Sequence, residues 1–454
     1  MSFKKDFVWG SATASYQIEG AAFEDGKGWN IWDVFTHEGG HVYGNHTGDV
    51  ACDHYHRFKE DIKLMKELGM KAYRFSVNWA RIMPTGEGEV NEKGIAFYNE
   101  LIDELLANGI EPYLTLYHWE LPYDLYKQGG FLNPKIADWF YDYASVIAER
   151  FSDRVKHFFT LNEPQCIIGL GYLSGEQAPG LKTGKKDIFQ MIYNLLRAHG
   201  KCVSALREKS VQPVKIGLAS CGNTYYPASD SPEDIEATRY ATFHMINDSL
   251  HEAVWNFATF MDPIYLGEYP KELREYFGDV LIELTEEDKK LISQPLDFYG
   301  QNNYNSAEIK AGKDGKPEIV NRYDGFPETM MLWPVTPEGL YWAPKFIYER
   351  YQKPFFITEN GLASMDWVHV DGKVKDYGRI DFLQRYLRAL KRAAEDGADI
   401  AGYFQWSFMD NFEWALGYAK RFGLVYVDYE TQERIPKESA YFYKEVMETN
   451  GENL

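Results

Sequence analysis

The chain has 454 residues, 45% of them hydrophobic and 26% charged, the balance of a globular protein long enough to bury a large core. Its formal net charge of −20 excludes the basic footprint that nucleic acid or an anionic membrane surface requires. Four cysteines, Cys52, Cys166, Cys202 and Cys221, make neither a disulfide framework nor a Cys-x-x-Cys metal site and read as reduced thiols.

At the N-terminus, Lys4 and Lys5 precede Ala12-Thr-Ala14, but Asp6 follows at once and no apolar stretch of signal-peptide length intervenes. No run is long enough to span a bilayer, so the expectation is a soluble, cytoplasmic protein. The first strand is predicted near Phe7. Asp61 to Leu68 places Ile62, Met65 and Leu68 on one helical face and stops at Gly69; Lys71 to Trp79 then reads as a strand. Phe97 to Leu106 is helical, and Glu111 to Trp119 is the next strand. Further strands are predicted near His157, Val214, Asp297, Pro354 and Ile400, with long amphipathic helices over Asp187–Leu206 and Ile380–Ala394. Eight strands separated by helical or irregular segments, without a linker or composition shift, predict a single (β/α)₈ barrel domain over residues 1–454 with long βα loops. A doubly wound sheet is the alternative. It lacks the Gly-x-Gly-x-x-Gly turn, and Gly180-Leu-Lys-Thr-Gly-Lys-Lys186 has the wrong spacing for a phosphate loop.

Barrel chemistry collects at the carboxyl ends of the strands. Here those positions hold Gln17, Arg74, His118 with Trp119, Asn162 with Glu163, Asn223, Asn302 with Tyr304, Glu359 and Trp406. Two carboxylates, a cation, several amides and exposed-type aromatics form a polyol-binding inventory. Aromatics make up 16% of the chain and serve sugar rings or a homo-oligomer interface. Glu163 and Glu359 each close an apolar run at a chain-breaking Pro or Gly. They are the candidates for the acid and the second carboxylate of glycosidic cleavage, with Arg74 and Tyr304 available to keep one of them ionised. The metal alternative, His54-Tyr-His56, reads as structural because a zinc site needs three or four convergent ligands. Cys166 has no evident base and does not read as a nucleophile.

Thr160-Leu-Asn-Glu-Pro164 and Ile357-Thr-Glu-Asn-Gly361 resemble the two signature segments of glycoside hydrolase family one, the β-glucosidase family. Phe7 to Gly20, Tyr73-Arg-Phe-Ser76, Trp406 to Trp414 and Arg421-Phe-Gly423 match as well, so the likeness runs from Phe7 to Tyr443. The resemblance implies retaining double displacement without cofactor or metal, with Glu163 as acid/base, Glu359 as nucleophile and Asn302 and Tyr304 beside it. It also implies that Gln17, His118, Trp119, Asn162, Glu413 and Trp414 hold the glycone, Trp406 lies under the ring, and Phe422, Trp333 and Asn223 complete the substrate site. Gln165 and Gln177 replace a Trp and a His common on the leaving-group side, and are expected to make that subsite more polar. A carboxylate at Glu413 is expected to bind O4 and O6 of an unmodified hexose and to repel a 6-phosphate. The implied substrate is a small-molecule β-glucoside. Broader β-galactosidase or β-fucosidase activity and transglycosylation are alternatives, with 6-phospho-β-glucosidase activity less favoured.

Overall fold

Eight short apolar runs pair side by side in the computed structural model, which describes residues 2–454. They are β1 (Val8–Ala12), β2 (Ala72–Ser76), β3 (Glu111–Tyr117), β4 (His157–Asn162), β5 (Lys215–Ser220), β6 (Tyr299–Asn302), β7 (Phe355–Asn360) and β8 (Ile400–Trp406). Every neighbouring pair is parallel and β8 closes on β1, a barrel in chain order. Because both faces of a barrel strand are covered, the strands read as continuous apolar runs rather than alternating ones. This is the (β/α)₈ barrel expected from the sequence. β1 fits tightly between β2 and β8: a Cβ on Gly10 would lie 2.6 Å from the Ala72 carbonyl oxygen and 2.8 Å from the Phe404 ring.

Helices return the chain between strands, including α1 (His54–Glu67), α2 (Glu92–Ala107), α3 (Ile136–Phe151), α4 (Lys185–Lys209), α5 (Gly339–Tyr351) and α6 (Tyr377–Glu395). α6 buries Phe382, Leu383, Tyr386, Leu387, Leu390 and Ala393, the stripe its 3.6-residue periodicity predicted, and ends before Gly397 at φ 98°.

Boundaries differ where polar residues are buried. α1 begins two turns before the expected Asp61, because its first turns bury His54 and Asp61, whose side chains pair at 2.8 Å. The His54-Tyr-His56 segment therefore lies on the helix rather than before it. His56 turns outward to Asp53 and Glu24, so the two imidazoles do not converge. β2 ends at Ser76, and Trp79–Ile82 is already a helical turn. β6 starts at Tyr299; Asp297 instead accepts the Ile216 amide at 2.7 Å.

The β7 and β8 loops are tied together by buried ion pairs. Lys437 bridges Asp366 at 2.6 Å and Asp410 at 2.7 Å, Arg379 reaches Asp366 at 2.7 Å, and Arg421 reaches Asp410 at 2.6 Å. Removing one member of such a network strands a buried charge. The clamp thus fixes the segment from Trp406 to Phe422 over the barrel mouth.

Candidate active site

The barrel interior is plugged by aromatic rings. Tyr113 packs on Phe404 at 5.0 Å, and Phe298 on Phe159 and Phe356 at 5.0 and 5.3 Å. Arg74 sits on this plug with its guanidinium 5.0 Å from the Phe159 ring centroid. Its donors go to Thr115 Oγ1 (3.1 Å), Asn162 Oδ1 (2.6 Å), the Thr358 carbonyl (3.2 Å) and Glu359 Oε1 (2.7 Å). A cation this well saturated is a fixed charge under the mouth of the barrel.

Glu163 and Glu359 leave β4 and β7 toward the same cavity, of about 770 Å³, and they are wired differently. Glu359 accepts from Arg74 and, at 2.7 Å, from the Tyr304 hydroxyl. Burial raises its pKa above the ordinary carboxylate value, and the guanidinium and the hydroxyl hold that rise in check. Glu163 has one amide donor, Asn302 Nδ2 at 2.8 Å. Burial and the charge of Glu359 push its pKa up to about 7. Of the two, Glu359 is the group that ionises and Glu163 the one that keeps a proton. Asn302 lies beside Glu359 in the β6–β7 register and extends its amide to Glu163, held in place by Thr358 Oγ1, which donates to its Oδ1 at 2.5 Å.

His118 is buried, and its charged form is disfavoured by burial and by Arg74. Asn162 Oδ1 already accepts from Arg74 and Asn302, so the amide Nδ2 donates to His118 Nε2 at 3.0 Å. The imidazole proton is thereby placed on Nδ1, which has no partner within the protein. Gln17 donates to Asn411 Oδ1 and the Phe412 carbonyl, and its Oε1 is likewise unpartnered. The His118 ring stacks at 6.0 Å from both Trp406 and Trp414, and Trp119 packs at 4.6 Å on Trp414. Across the cavity, Tyr304, Trp333 and Phe422 form an aromatic wall with centroids 5.1 to 6.1 Å apart. Glu413 faces the cavity near Gln17. Burial and the nearby Glu359 and Glu163 raise its pKa to about 8.

Three site residues carry positive φ without being glycine: Trp119 (83°), Glu163 (50°) and Trp414 (50°). Such backbone costs of order 1–3 kcal/mol per residue and persists where the surroundings over-determine it. Glu163 is pinned by its own N–H donating to the Ala219 carbonyl at 2.7 Å.

Most of the sequence-predicted residues line the cavity, Gln177 and Asn223 included. Arg74 and Asn162 lie behind that surface as supports, and Gln17, also behind it, keeps its Oε1 unpartnered. Gln165 does not belong to the leaving-group subsite. Its side chain is buried, donating to Ser220 Oγ at 3.2 Å and accepting from the Cys221 amide at 3.3 Å. The short helix after Glu163 rotates this position away from the cavity and presents Cys166 instead. Cys166 and Cys221, whose sulfurs are 3.6 Å apart, are cavity-lining residues that sequence reasoning missed, since nothing in their spacing announces a pair.

A (β/α)₈ barrel with two unequally wired carboxylates amid stacking rings defines a glycosidase of the two-carboxylate type. The family model for glycosyl hydrolase family 1 matches residues 1–452. The chain is 47% identical to a 1,4-β-D-glucan glucohydrolase of Thermotoga neapolitana, over 99% of each chain. Against β-glucosidase A of Thermotoga maritima it is 46% identical, over 99% of this chain and 98% of that one. The solved Thermotoga maritima β-glucosidase in complex with glucoimidazole superposes with a TM-score of 0.90 at 46% identity, covering 99% of each chain. The chain belongs to glycosyl hydrolase family 1.

Proposed function

We propose that this protein is a retaining β-glucosidase that releases terminal β-D-glucosyl residues from oligosaccharides or aryl and alkyl glucosides. The observation that carries the reading is the unequal wiring of Glu163 and Glu359. Ionised Glu359, steadied by Arg74 and Tyr304, attacks the anomeric carbon, while Glu163 gives its proton to the departing glycosidic oxygen. Once Glu359 is esterified its charge is gone, so the field that raised Glu163 is relieved. Glu163 then serves as base for the water that breaks the ester and regenerates Glu359. Neutral His118, donating from Nδ1, and Gln17, accepting at Oε1, offer one donor and one acceptor to glycone hydroxyls. Trp406 supplies the ring face.

The preference for unphosphorylated sugar is supported by the surroundings of Glu413. Burial and the neighbouring Glu359 and Glu163 raise the Glu413 pKa to about 8, so the exclusion does not rest on its charge alone. The supporting fact is that no Lys or Arg lines the cavity among the described residues, while two further carboxyl groups, Glu163 and Glu359, do. A phosphate brought there would find no counter-charge. Among the described residues no helix is long and apolar enough to cross a membrane. Four free cysteines fit a reducing, cytoplasmic setting.

The test compares nitrophenol release from the β-glucoside and its 6-phospho counterpart, with Glu359→Ala as control. Turnover confined to the unmodified glucoside and lost in the variant supports the reading. Preference for the phosphorylated substrate overturns the specificity, and no turnover of either overturns the activity.

A further inference from the structure

Glu163, Cys166 and Cys221 are, among the described residues, the only group of three or more His, Cys, Asp or Glu side chains whose ligand atoms converge, all lying within 4.8 Å of one another. We propose that this trio is a binding site for a thiophilic divalent cation such as Zn²⁺ or Cd²⁺, and that occupation shuts the enzyme off at its acid/base residue. The inhibitory half rests on the role assigned to Glu163; the binding half does not.

The two free thiols are in hydrogen-bonding contact, 3.6 Å apart, and the carboxylate beside them completes a ligand set. Two thiolates sharing a tetrahedral zinc ion, each at about 2.3 Å, stand about 3.8 Å from one another, whereas a disulfide needs closure to about 2.05 Å. Cys166 lies one helical turn beyond Glu163 on the short helix Pro164–Ile168, and Cys221 follows the adjacent strand β5. Gln165 accepts from the Cys221 amide, which holds that thiol against its partner. All three residues open onto the cavity, which leaves a fourth coordination position accessible from solvent. Thiolate ligands select Zn²⁺ or Cd²⁺ over Mg²⁺ and Ca²⁺, and the net charge of −20 concentrates cations near the surface.

The balance is simple. Two Cys S–H bonds break, two metal–sulfur bonds and one metal–carboxylate bond form, and the thiol protons, with any carboxyl proton, leave to solvent. No electron changes hands. A Glu163 bound to metal has no proton for the leaving oxygen, so glycosidic cleavage stops until the cation is withdrawn.

Cadmium is the probe. The full chain is titrated with Cd²⁺ at about pH 8, because burial raises both thiols above their ordinary range and the metal must displace their protons, reading thiolate-to-cadmium absorption and nitrophenyl β-glucoside turnover in parallel. The expected result is absorption that saturates at one Cd²⁺ per chain, activity lost in step, and both reversed by EDTA. Cys166→Ser and Cys221→Ser weaken binding by about tenfold or more, each judged against its own metal-free rate, while Cys202→Ser, at a buried thiol outside the cavity, changes nothing. Because absorption reads the site without reference to turnover, absence of the site and failure of the acid/base reading are told apart. Unchanged cadmium sensitivity in the Cys166→Ser/Cys221→Ser double variant, or no saturable thiolate band, overturns the site. Saturation with full activity overturns the inhibition.

Discussion

Replacing Asn302 by Ala removes the amide that donates to Glu163 Oε1 at 2.8 Å. A donor to a carboxylate favours its ionised form, so its loss raises the pKa of Glu163 further. Hydrogen bonds to charged groups are worth about 1.5–3 kcal/mol, and 1.36 kcal/mol corresponds to about one pKa unit. The shift is therefore about 1–2 units upward from about 7. The sign follows from the role. A general acid works while protonated, and activity falls as pH rises through its pKa, so the alkaline limb of kcat/KM moves to higher pH. The overall rate drops as well, because Asn302 also donates to Asn162 Oδ1 at 3.1 Å and accepts from Thr358. The assay is the pH profile of kcat/KM on nitrophenyl β-glucoside for both proteins, which reports groups of the free enzyme. An alkaline limb that stays in place, or moves toward acid, refutes the reasoning.

Other outcomes follow from the same geometry. Burial works against the charge of Asp366, but Arg379 and Lys437 outweigh it and hold the carboxyl well below its usual range. Its contribution to stability is therefore present above the ordinary carboxylate pKa and is lost as pH falls. Asp366→Asn should cost about 3–5 kcal/mol at neutral pH in denaturant melts, with the gap to the parent closing below about pH 4. Gln165→Trp should overpack a closed site, because that side chain is buried away from the leaving group. Thermal melts should show a loss of about 1–3 kcal/mol, and the ranking of aryl, alkyl and disaccharide substrates should hold among the molecules that fold. Glu413→Ser should lower kcat/KM on the β-glucoside about hundredfold, the worth of two hydrogen bonds of about 1.4 kcal/mol each. It should not confer turnover of the 6-phosphoglucoside, since no cation lines the cavity; gain of that activity would show that Glu413 alone excludes phosphate.

The barrel was legible because each strand is an apolar run with a polar terminus. Where legibility failed, polar groups sat in apolar company. The start of α1 was hidden because His54 and Asp61 occupy its buried face and satisfy one another. Glu163 and Glu359 could be picked out as strand-end carboxylates, and Arg74 and Tyr304 as neighbours. Which carboxylate each donor serves depends on side-chain reach, and Asn302, beside Glu359 in the sheet, also reaches Glu163. Gln165 was misplaced for a related reason. A single residue in left-handed backbone, Glu163, sets the rotation of the following helix, and no local propensity encodes that turn. The same rotation delivers Cys166 to Cys221, a pairing between residues 55 positions apart that only the β4–β5 adjacency creates.

The division of labour between Glu163 and Glu359 is best tested by trapping the covalent intermediate. A 2-deoxy-2-fluoro-β-glucoside with a good leaving group slows the second step more than the first, so the glycosyl-enzyme accumulates. Mass spectrometry of the digested protein should then find one fluoroglucosyl group per chain, on Glu359, and none in a Glu359→Ala control. A label on Glu163, or inactivation without any covalent adduct, would contradict the account.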